Sequence, residues 1–214
     1  ELKISDYVKT PSTWGRTLDV DVENDLVYIG SIDKKNNKKK GSNVLKNSYS
    51  LKNTISVNED FGRLVGYYIS EGYAHYTNGV NKGIRFTFGS KEDIFIKDTV
   101  NLIERIFGFT PTVRENVDGS TNVAAWSQIM GEFFVSLIGT GFNKKRLNTL
   151  LLDASDEFLK GMLVGCFRGD GTVLDRSAEV SLSNPEIISQ LRTAALRIGL
   201  LPYERTFFSA SGSP

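Results

Sequence analysis

An internal repeat constrains the fold of this chain more strongly than any other feature of its sequence. The segment GRLVGYYISEG, Gly62–Gly72, recurs 99 positions later as GMLVGCFRGDG, Gly161–Gly171. Downstream of both copies, an apolar alternation before an acidic residue and a Gly and Pro spacing recur as well, and Arg114 stands opposite Arg205. Two copies of one unit predict a pseudo-symmetric molecule.

Local signals predict the order of elements in each copy. Asn58 and Ser155 precede acidic residues and are N-cap candidates for two helices. Alternating apolar residues predict strands, and helical spacing predicts further helices, one of them ending at Gly108. The first copy is therefore expected to be α-β-β-α-β-β-α, and the second to follow the same order as far as a strand near Tyr203–Phe208. The predicted fold class is α+β with two such repeats, the second of them incomplete.

This pattern divides the chain into three predicted regions: an N-terminal extension over 1–57 with a hairpin around Glu23–Asp25, repeat one over 58–150 and repeat two over 151–214. If Arg205 matches Arg114, the second repeat lacks its fourth strand and last helix. We therefore expect natural sequence to continue beyond Pro214, because an uncovered sheet edge favours aggregation.

Composition narrows the function classes. The 214 residues include one cysteine and one histidine, which excludes a disulfide framework, a Cys-rich zinc site and a multi-histidine metal centre. The sequence contains no apolar run of membrane-spanning length, so we expect an intracellular protein with no membrane partner. The net charge of +1 neither demands nor forbids a polyanionic partner. Catalysis would have to rest on carboxylates, lysines and bound metal.

Each repeat helix carries two glycines four residues apart, Gly62 with Gly66 and Gly161 with Gly165, so both lie on one face. A glycine inside a helix costs about 1 kcal/mol relative to alanine. Close approach of the two helices would offset that cost. Packed in this way, the helices would bring Glu71 and Asp170 together at their C-terminal ends.

Two neighbouring carboxylates at helix C-termini repel each other and oppose the helix dipoles. A divalent cation would relieve both effects, and carboxylate oxygens with water and phosphate are ligands that suit Mg²⁺ or Mn²⁺. A pair of metal-bound carboxylates at a quasi-symmetric centre is suited to hydrolysis of a phosphodiester. Each acid taken alone would be read as an ordinary exposed helix end.

LVGYYISEG, Leu64–Gly72, and LVGCFRGDG, Leu163–Gly171, resemble the two LAGLIDADG motifs of monomeric homing endonucleases. The resemblance implies paired motif helices between two antiparallel sheets that form a saddle over double-stranded DNA. The acidic motif positions fall on Glu71 and Asp170, with the carbonyl groups of Ser70 and Gly169 as further metal contacts. Glu71 departs from the commoner aspartate, and Ile69 and Arg168 replace an earlier aspartate of the family.

The family also places a lysine near each metal. Lys145–Asn148 resembles the Lys-x-Ile-Pro element of intein-type members, with Asn148 in place of proline, and makes Lys145 the catalytic candidate. Lys144 remains an alternative, and a basic loop before a helix is the plain structural reading. A counterpart in repeat two would lie beyond Pro214, so nicking is expected to outrun double-strand cleavage.

DNA contacts are expected from polar residues that alternate along the predicted strands and from the two basic residues on either side of Lys145. These are Arg85, Thr87, Arg114, Asn116, Lys144, Arg146, Glu179, Ser181, Ser183 and Arg205. Arginine and asparagine suit base edges, whereas serine and threonine suit phosphates.

The function predicted from the resemblance is metal-dependent, site-specific double-strand cleavage of DNA by a monomer, promoting the mobility of an intein or intron. Intron-encoded and freestanding origins stay open. The alternative from another class is a catalytically silent nucleic-acid binder of the same fold, such as an RNA maturase or a DNA-binding regulator.

Overall fold

The elements are taken from a computed structural model that describes residues 1–9, 16–33, 38–39, 50–175 and 177–206. The N-terminal segment contains β1 (Leu2–Lys3), α1 (Ile4–Tyr7), β2 (Arg16–Asp21), β3 (Leu26–Asp33), β4 (Lys38–Lys39), β5 (Leu51–Lys52) and β6 (Thr54–Ile55). The first repeat contains α2 (Glu59–Ser70), β7 (Gly72–Thr77), β8 (Val80–Phe88), α3 (Asp93–Phe107), β9 (Thr112–Glu115), β10 (Thr121–Ala125) and α4 (Gln128–Leu137). A short helix, α5 (Thr149–Leu152), precedes the elements of the second repeat, which are α6 (Asp156–Asp170), β11 (Gly171–Leu174), β12 (Ser177–Val180) and α7 (Pro185–Arg197).

The two motif helices begin at the caps that the sequence predicts. The Asn58 side chain accepts a hydrogen bond from the Phe61 N–H at 3.1 Å, and the Ser155 hydroxyl accepts one from the Phe158 N–H at 3.3 Å. Gly108 ends α3 in the left-handed conformation, with φ 65°, which a residue without Cβ adopts at little cost. The first repeat is α-β-β-α-β-β-α, as predicted, and the α+β class with antiparallel sheets is confirmed.

An antiparallel sheet of order β7-β8-β10-β9 forms the body of the first repeat. Its inner face is apolar, with Ile84, Phe86 and Val123 fully buried beneath the helices. Because side chains alternate along a strand, the opposite face of the sheet carries the polar residues between them. In the second repeat, β11 and β12 form a two-stranded antiparallel sheet.

The N-terminal segment shares the hydrophobic core of the first repeat. β2 and β3 form a hairpin around the predicted turn, and β5 and β6 pair with β3 and β1. Ile4 and Leu51 are completely buried, and the Tyr7 ring packs edge-on against Phe133 with centroids 5.8 Å apart. The described residues of the 1–57 segment therefore pack as part of the same core.

The end of the second repeat differs from the prediction. Residues 201–206 contain no strand, and the rest of the strand expected at Tyr203–Phe208 lies outside the described residues. In the first repeat the corresponding β9 is a strand because Val113 pairs with Val123 on β10. No described residue of the second repeat offers Tyr203 such a partner. None of the helices in the described ranges is long and apolar enough to cross a membrane.

Candidate active site and nucleic-acid surface

The centre of the candidate site is the line along which α2 and α6 touch. A Cβ placed on Gly66 would lie 2.2 Å from the Met162 carbonyl oxygen, and one on Gly165 would lie 2.2 Å from the Arg63 oxygen. For Gly62 and Gly161, the corresponding contacts with backbone oxygens are 2.1 Å. The helices thus meet backbone to backbone along the four predicted glycines, where no larger residue fits.

This contact brings the two acidic helix ends together. A Cβ on Gly169 would lie 3.1 Å from the Glu71 Cγ, so the residue before Asp170 lies against the side chain of Glu71. The backbone of each acid is also held within its own repeat, since the Glu71 carbonyl accepts from the Thr87 N–H on β8 at 3.2 Å and the Asp170 carbonyl accepts from the Ser181 N–H just after β12 at 3.4 Å. The two repeats therefore anchor their acids in the same way.

The electrostatics of the pair favour the protonated acids. Burial, the Asp170 charge and the Glu92 charge raise the pKa of Glu71 to about 7, and Lys145 opposes this increase. Burial, with a further contribution from Glu92, also raises the pKa of Asp170, again opposed by Lys145. Desolvated carboxylates whose negative charge is poorly compensated attract a cation.

Lys145 lies beneath this site and is only 6% exposed. Its Nζ donates hydrogen bonds of 2.6 Å to the carbonyl oxygens of both Tyr68 and Ile69, in the last turn of α2. The same Nζ lies 5.2 Å from the centre of the Tyr68 ring. Burial lowers the pKa of Lys145 to about 8, although nearby Cys166, Asp170 and Glu71 favour the charged form. The Lys145 ammonium group therefore compensates the partial negative charge of the carbonyl groups at the C-terminal end of α2.

The donor set fits a hard divalent cation. Glu71 and Asp170 provide carboxylate oxygens, and the Ser70 and Gly169 carbonyls lie one residue before them at the same helix ends. No cluster of three or more His, Cys, Asp or Glu side chains that could hold a metal occurs in the described part of the chain. Mg²⁺ commonly uses one or two carboxylates and completes its shell with water and phosphate, so two acids suffice.

Four predicted DNA contacts lie together on the outer face of the four-stranded sheet. Thr87 and Arg114 both face Asn122 across the ladder, and the Thr87 hydroxyl donates to the Asn122 side-chain oxygen at 2.9 Å. Asn116 lies just beyond β9, and its side-chain oxygen accepts from the Asn122 amide at 2.7 Å. Arg85 is half-buried on the same face.

The other predicted contacts are not on that sheet. Glu179 is exposed on β12, whereas Ser181 and Ser183 follow the end of β12 and lie in the loop before α7. The expected alternation stops there because β12 ends at Val180. The remaining residues are exposed. They are Lys144, Arg146, which pairs with Glu186 at 3.4 Å, and Arg205, which stacks on Tyr203 at 4.6 Å.

Sequence reasoning missed three features near the site. Glu92 raises the pKa of both acids, and no motif in the sequence assigns it to the site. Asp98 accepts hydrogen bonds from Arg63, Tyr67 and Arg168, and no local pattern marks it. Tyr73 and Trp126 flank Arg85, and their aromatic character beside a polar strand face was the available signal.

Comparison with known proteins finds relatives that are much longer than this chain. No protein-family profile matches the chain. It is 29% identical over 157 residues to an uncharacterized protein of Methanocaldococcus jannaschii, covering 70% of this chain and 17% of that protein. It is 30% identical over 122 residues to an iron-sulfur cluster assembly SufBD family protein of Mycobacterium tuberculosis, covering 56% and 14% respectively. A DNA polymerase of Thermococcus aggregans is 29% identical over 129 residues, covering 58% and 7%. The chain thus spans less than a fifth of these relatives.

Among solved structures, the chain is similar to I-DmoI, crystallised with DNA and Mn. The TM-score is 0.55 at 12% identity, covering 73% of this chain and 87% of the other. This likeness shows that the chain has the fold of I-DmoI, in agreement with the LAGLIDADG resemblance of the two motifs. The N-terminal LAGLIDADG domain of WhiA is also similar, with a TM-score of 0.46.

Proposed function

We propose that this chain is a site-specific DNA endonuclease that hydrolyses both strands of a long target with Mg²⁺ or Mn²⁺. The observation that carries the proposal is the pair of carboxylates, Glu71 and Asp170, at the touching ends of two glycine-packed helices. Their pKa values are raised first by burial and further by the nearby Glu92 charge, which Lys145 only partly opposes. The similar fold of a protein crystallised with DNA and Mn supports the same reading.

In this proposal Glu71 and Asp170 hold the divalent cation, assisted by the Ser70 and Gly169 carbonyls. When bound, the cation activates a water molecule and stabilises the leaving oxygen of the phosphodiester. The glycine contact of α2 with α6 fixes the separation of the two acids. The hydrogen bond from Thr87 ties Glu71 to the sheet expected to bind DNA, and the one from Ser181 ties Asp170 to the loop that follows β12. The chain therefore couples DNA position to the position of its carboxylates.

We propose that double-stranded DNA binds across the outer sheet face that carries Arg85, Thr87, Arg114 and Asn116. Lys144 and Arg146 are exposed cations on a neighbouring loop and would contact phosphate, whereas Glu179 and Arg205 would serve the second half-site. Because one chain supplies both motif helices, we propose that it acts as a monomer inside the cell.

We also propose that the chain is an intein-type or similar mobile segment. Parts of this chain match a DNA polymerase, an iron-sulfur assembly family protein and an uncharacterized protein, and the matches cover 7–17% of each. A segment found inside proteins of such different names behaves as an insert. A DNA-cleaving activity would promote its transfer.

The position of Lys145 favours a second candidate, a nucleic-acid binder without nuclease activity. Its Nζ is committed to two backbone carbonyls and is buried, so it is not free to approach a phosphate. In this case the lysine stabilises the end of α2, and the fold serves binding alone.

The test is selection of cleaved sites from a plasmid library with a randomised insert, in the presence of Mg²⁺ or Mn²⁺. We expect linear plasmids that share one long sequence. Glu71→Gln and Asp170→Asn should abolish cutting but retain binding when Ca²⁺ replaces the catalytic metal. Binding without cutting by the folded wild-type protein would instead establish the silent binder.

A further inference from the structure

The outer face of the first-repeat sheet carries an aromatic–arginine cluster, formed by Tyr73, His75, Arg85 and Trp126. Tyr73 on β7 pairs directly with Arg85 on β8, and Trp126 follows the last residue of β10. The Trp126 indole N–H donates to the Thr112 hydroxyl on β9 at 3.0 Å. The cluster therefore contains residues of β7 and β8 and the residue after β10, and it is hydrogen-bonded to β9.

The Arg85 guanidinium lies between two rings. Its carbon is 5.9 Å from the Tyr73 ring centre and 5.2 Å from that of Trp126, and its Nη1 donates to the Tyr73 hydroxyl at 3.1 Å. The His75 ring packs edge-on against Trp126 with centroids 5.4 Å apart. Stacking and one hydrogen bond thus fix the orientation of a side chain that otherwise has many rotamers.

This cation has no anionic partner among the described residues. By contrast, Arg63 and Arg168 both pair with Asp98, and Arg105 pairs with Asp60. The Arg85 Nε is buried without an acceptor, whereas Nη2 makes no hydrogen bond within the described part of the chain. Nη1 has a second N–H beyond the one that it gives to Tyr73, so the Nη1–Nη2 end of the held guanidinium is suited to a planar pair of acceptors.

We propose that Arg85, held by Tyr73 and Trp126, reads one guanine in the DNA target and that the cluster sets specificity at this base pair. Guanine presents the N7 and O6 acceptors side by side in the major groove, and arginine is their commonest partner. Tyr73 and Trp126 are positioning residues that act through Arg85. The inference rests on the proposed function, because it assumes that duplex DNA binds this face.

The experiment selects bound sequences from a randomised duplex library with Ca²⁺ in place of the catalytic metal, so that cleavage plays no part. The full chain and the variants Arg85→Lys and Tyr73→Phe are compared. We expect the wild type to prefer guanine at one position by roughly 10-fold or more. Both variants should reduce this preference severalfold and leave the preferences at other positions unchanged, because lysine keeps the charge but loses the planar fork.

Arg192→Lys is the matched control, since it alters an exposed arginine on α7, outside the proposed DNA surface. It should retain the guanine preference, and melting temperatures of all variants should confirm folding. An unchanged guanine preference in folded Arg85→Lys or Tyr73→Phe would overturn the inference and leave the proposed function intact. Equal loss in Arg192→Lys would overturn it as well. Absence of any DNA binding by the wild type would overturn both.

Discussion

At the scale of single residues, the fold places the Glu71 carboxyl group in surroundings that destabilise its charged form. Its pKa rises from 4.5 to about 7, first because the carboxyl is buried and then because Asp170 and Glu92 are nearby. The folded protein therefore binds protons more tightly than the unfolded chain. This contribution to stability is fully present below pH 4.5 and is lost as the pH rises through about 7.

We predict that Glu71→Gln stabilises the metal-free protein at about pH 8 by roughly 1–2 kcal/mol, a value reduced to allow for partial exposure of the carboxyl. At about pH 4 the difference should nearly vanish, because the wild-type acid is then mostly protonated in both the folded and the unfolded state. Thermal unfolding at the two pH values measures both effects. Glu104→Gln, which alters an exposed acid on α3, is the control and should show no such pH dependence. A destabilised Glu71→Gln protein at the higher pH would contradict the prediction.

Addition of a divalent cation provides an independent readout of the same residue. Mg²⁺ or Mn²⁺ should raise the melting temperature of the wild-type protein at about pH 8, because a ligand that binds only the folded state stabilises it. The Glu71→Gln, Asp170→Asn double variant should show a much smaller shift. An equal shift in both proteins would place the metal elsewhere.

At the scale of elements, the α2–α6 contact depends on the absence of side chains. An alanine Cβ at Gly66 would lie 2.2 Å from the Met162 oxygen and 2.6 Å from the Cys166 nitrogen, both of them backbone atoms of α6. Backbone atoms cannot rotate away as a side chain can. The two helices would have to separate to admit one methyl group.

We predict that Gly66→Ala destabilises the protein by about 2–3 kcal/mol or more, although alanine is the better helix former. Denaturant unfolding measures the change. Ser189→Ala on the exposed face of α7 is the matched control and should be neutral or slightly stabilising. If Gly66→Ala unfolded at the same denaturant concentration as the wild type, the close approach of the helices would be wrong.

A second link between elements runs through Asp98 on α3. Its carboxylate accepts from the Arg63 Nε at 2.8 Å, the Tyr67 hydroxyl at 3.0 Å and the Arg168 Nη1 at 3.0 Å. Arg168 belongs to α6, two residues before Asp170. The ion-pair network therefore joins the first repeat to the acidic end of the second.

We predict that Asp98→Asn lowers the free energy of unfolding by about 1–3 kcal/mol, because two half-buried guanidinium groups lose a shared anion. The loss should be smaller in an Arg168→Met background, and a double-mutant cycle in denaturant measures that coupling. Additive effects of Asp98→Asn and Arg168→Met would show that the contact between the repeats contributes no stability.

At the scale of the whole molecule, the two repeats are similar in order but unequal in burial. Val65 on α2 is fully buried, whereas its counterpart Val164 on α6 is 42% exposed. Leu174 and Val173 on β11 are also exposed, whereas Phe86 on β8 and Val123 on β10 of the first repeat are fully buried. The described part of the second repeat thus has fewer tertiary contacts to protect its sheet.

We predict that the amide hydrogens of β11 and β12 exchange orders of magnitude faster than those of β8 and β10, because local opening exposes little additional surface there. Hydrogen–deuterium exchange followed by mass spectrometry measures the difference. α6 is the internal control, since Phe158, Met162 and Cys166 are fully buried and should protect it. Equal protection of the two sheets would contradict the unequal burial.

The sequence by itself determined the features that depend on neighbours along the chain. The caps at Asn58 and Ser155 act within three residues, and the turn at Gly108 needs only its own missing Cβ. The repeat then implied that two glycine-faced helices would meet, because only close packing offsets glycine in a helix. Helix order, the α+β class and the juxtaposition of Glu71 with Gly169 all follow from such signals.

Only the tertiary structure decided the environment of each side chain, because the partners that create it are distant in sequence. The Lys145 side chain is buried, and its Nζ donates to the carbonyl oxygens of Tyr68 and Ile69, which lie 77 and 76 positions earlier in the chain. The basic residues next to Lys145 in the sequence give no sign of this burial. The Arg85 guanidinium lies between the rings of Tyr73 on β7 and Trp126, which follows β10. Ser181 lies outside a strand because β12 ends one residue before it. Periodicity identifies the face of an element, whereas contacts across elements determine what each side chain on that face can bind.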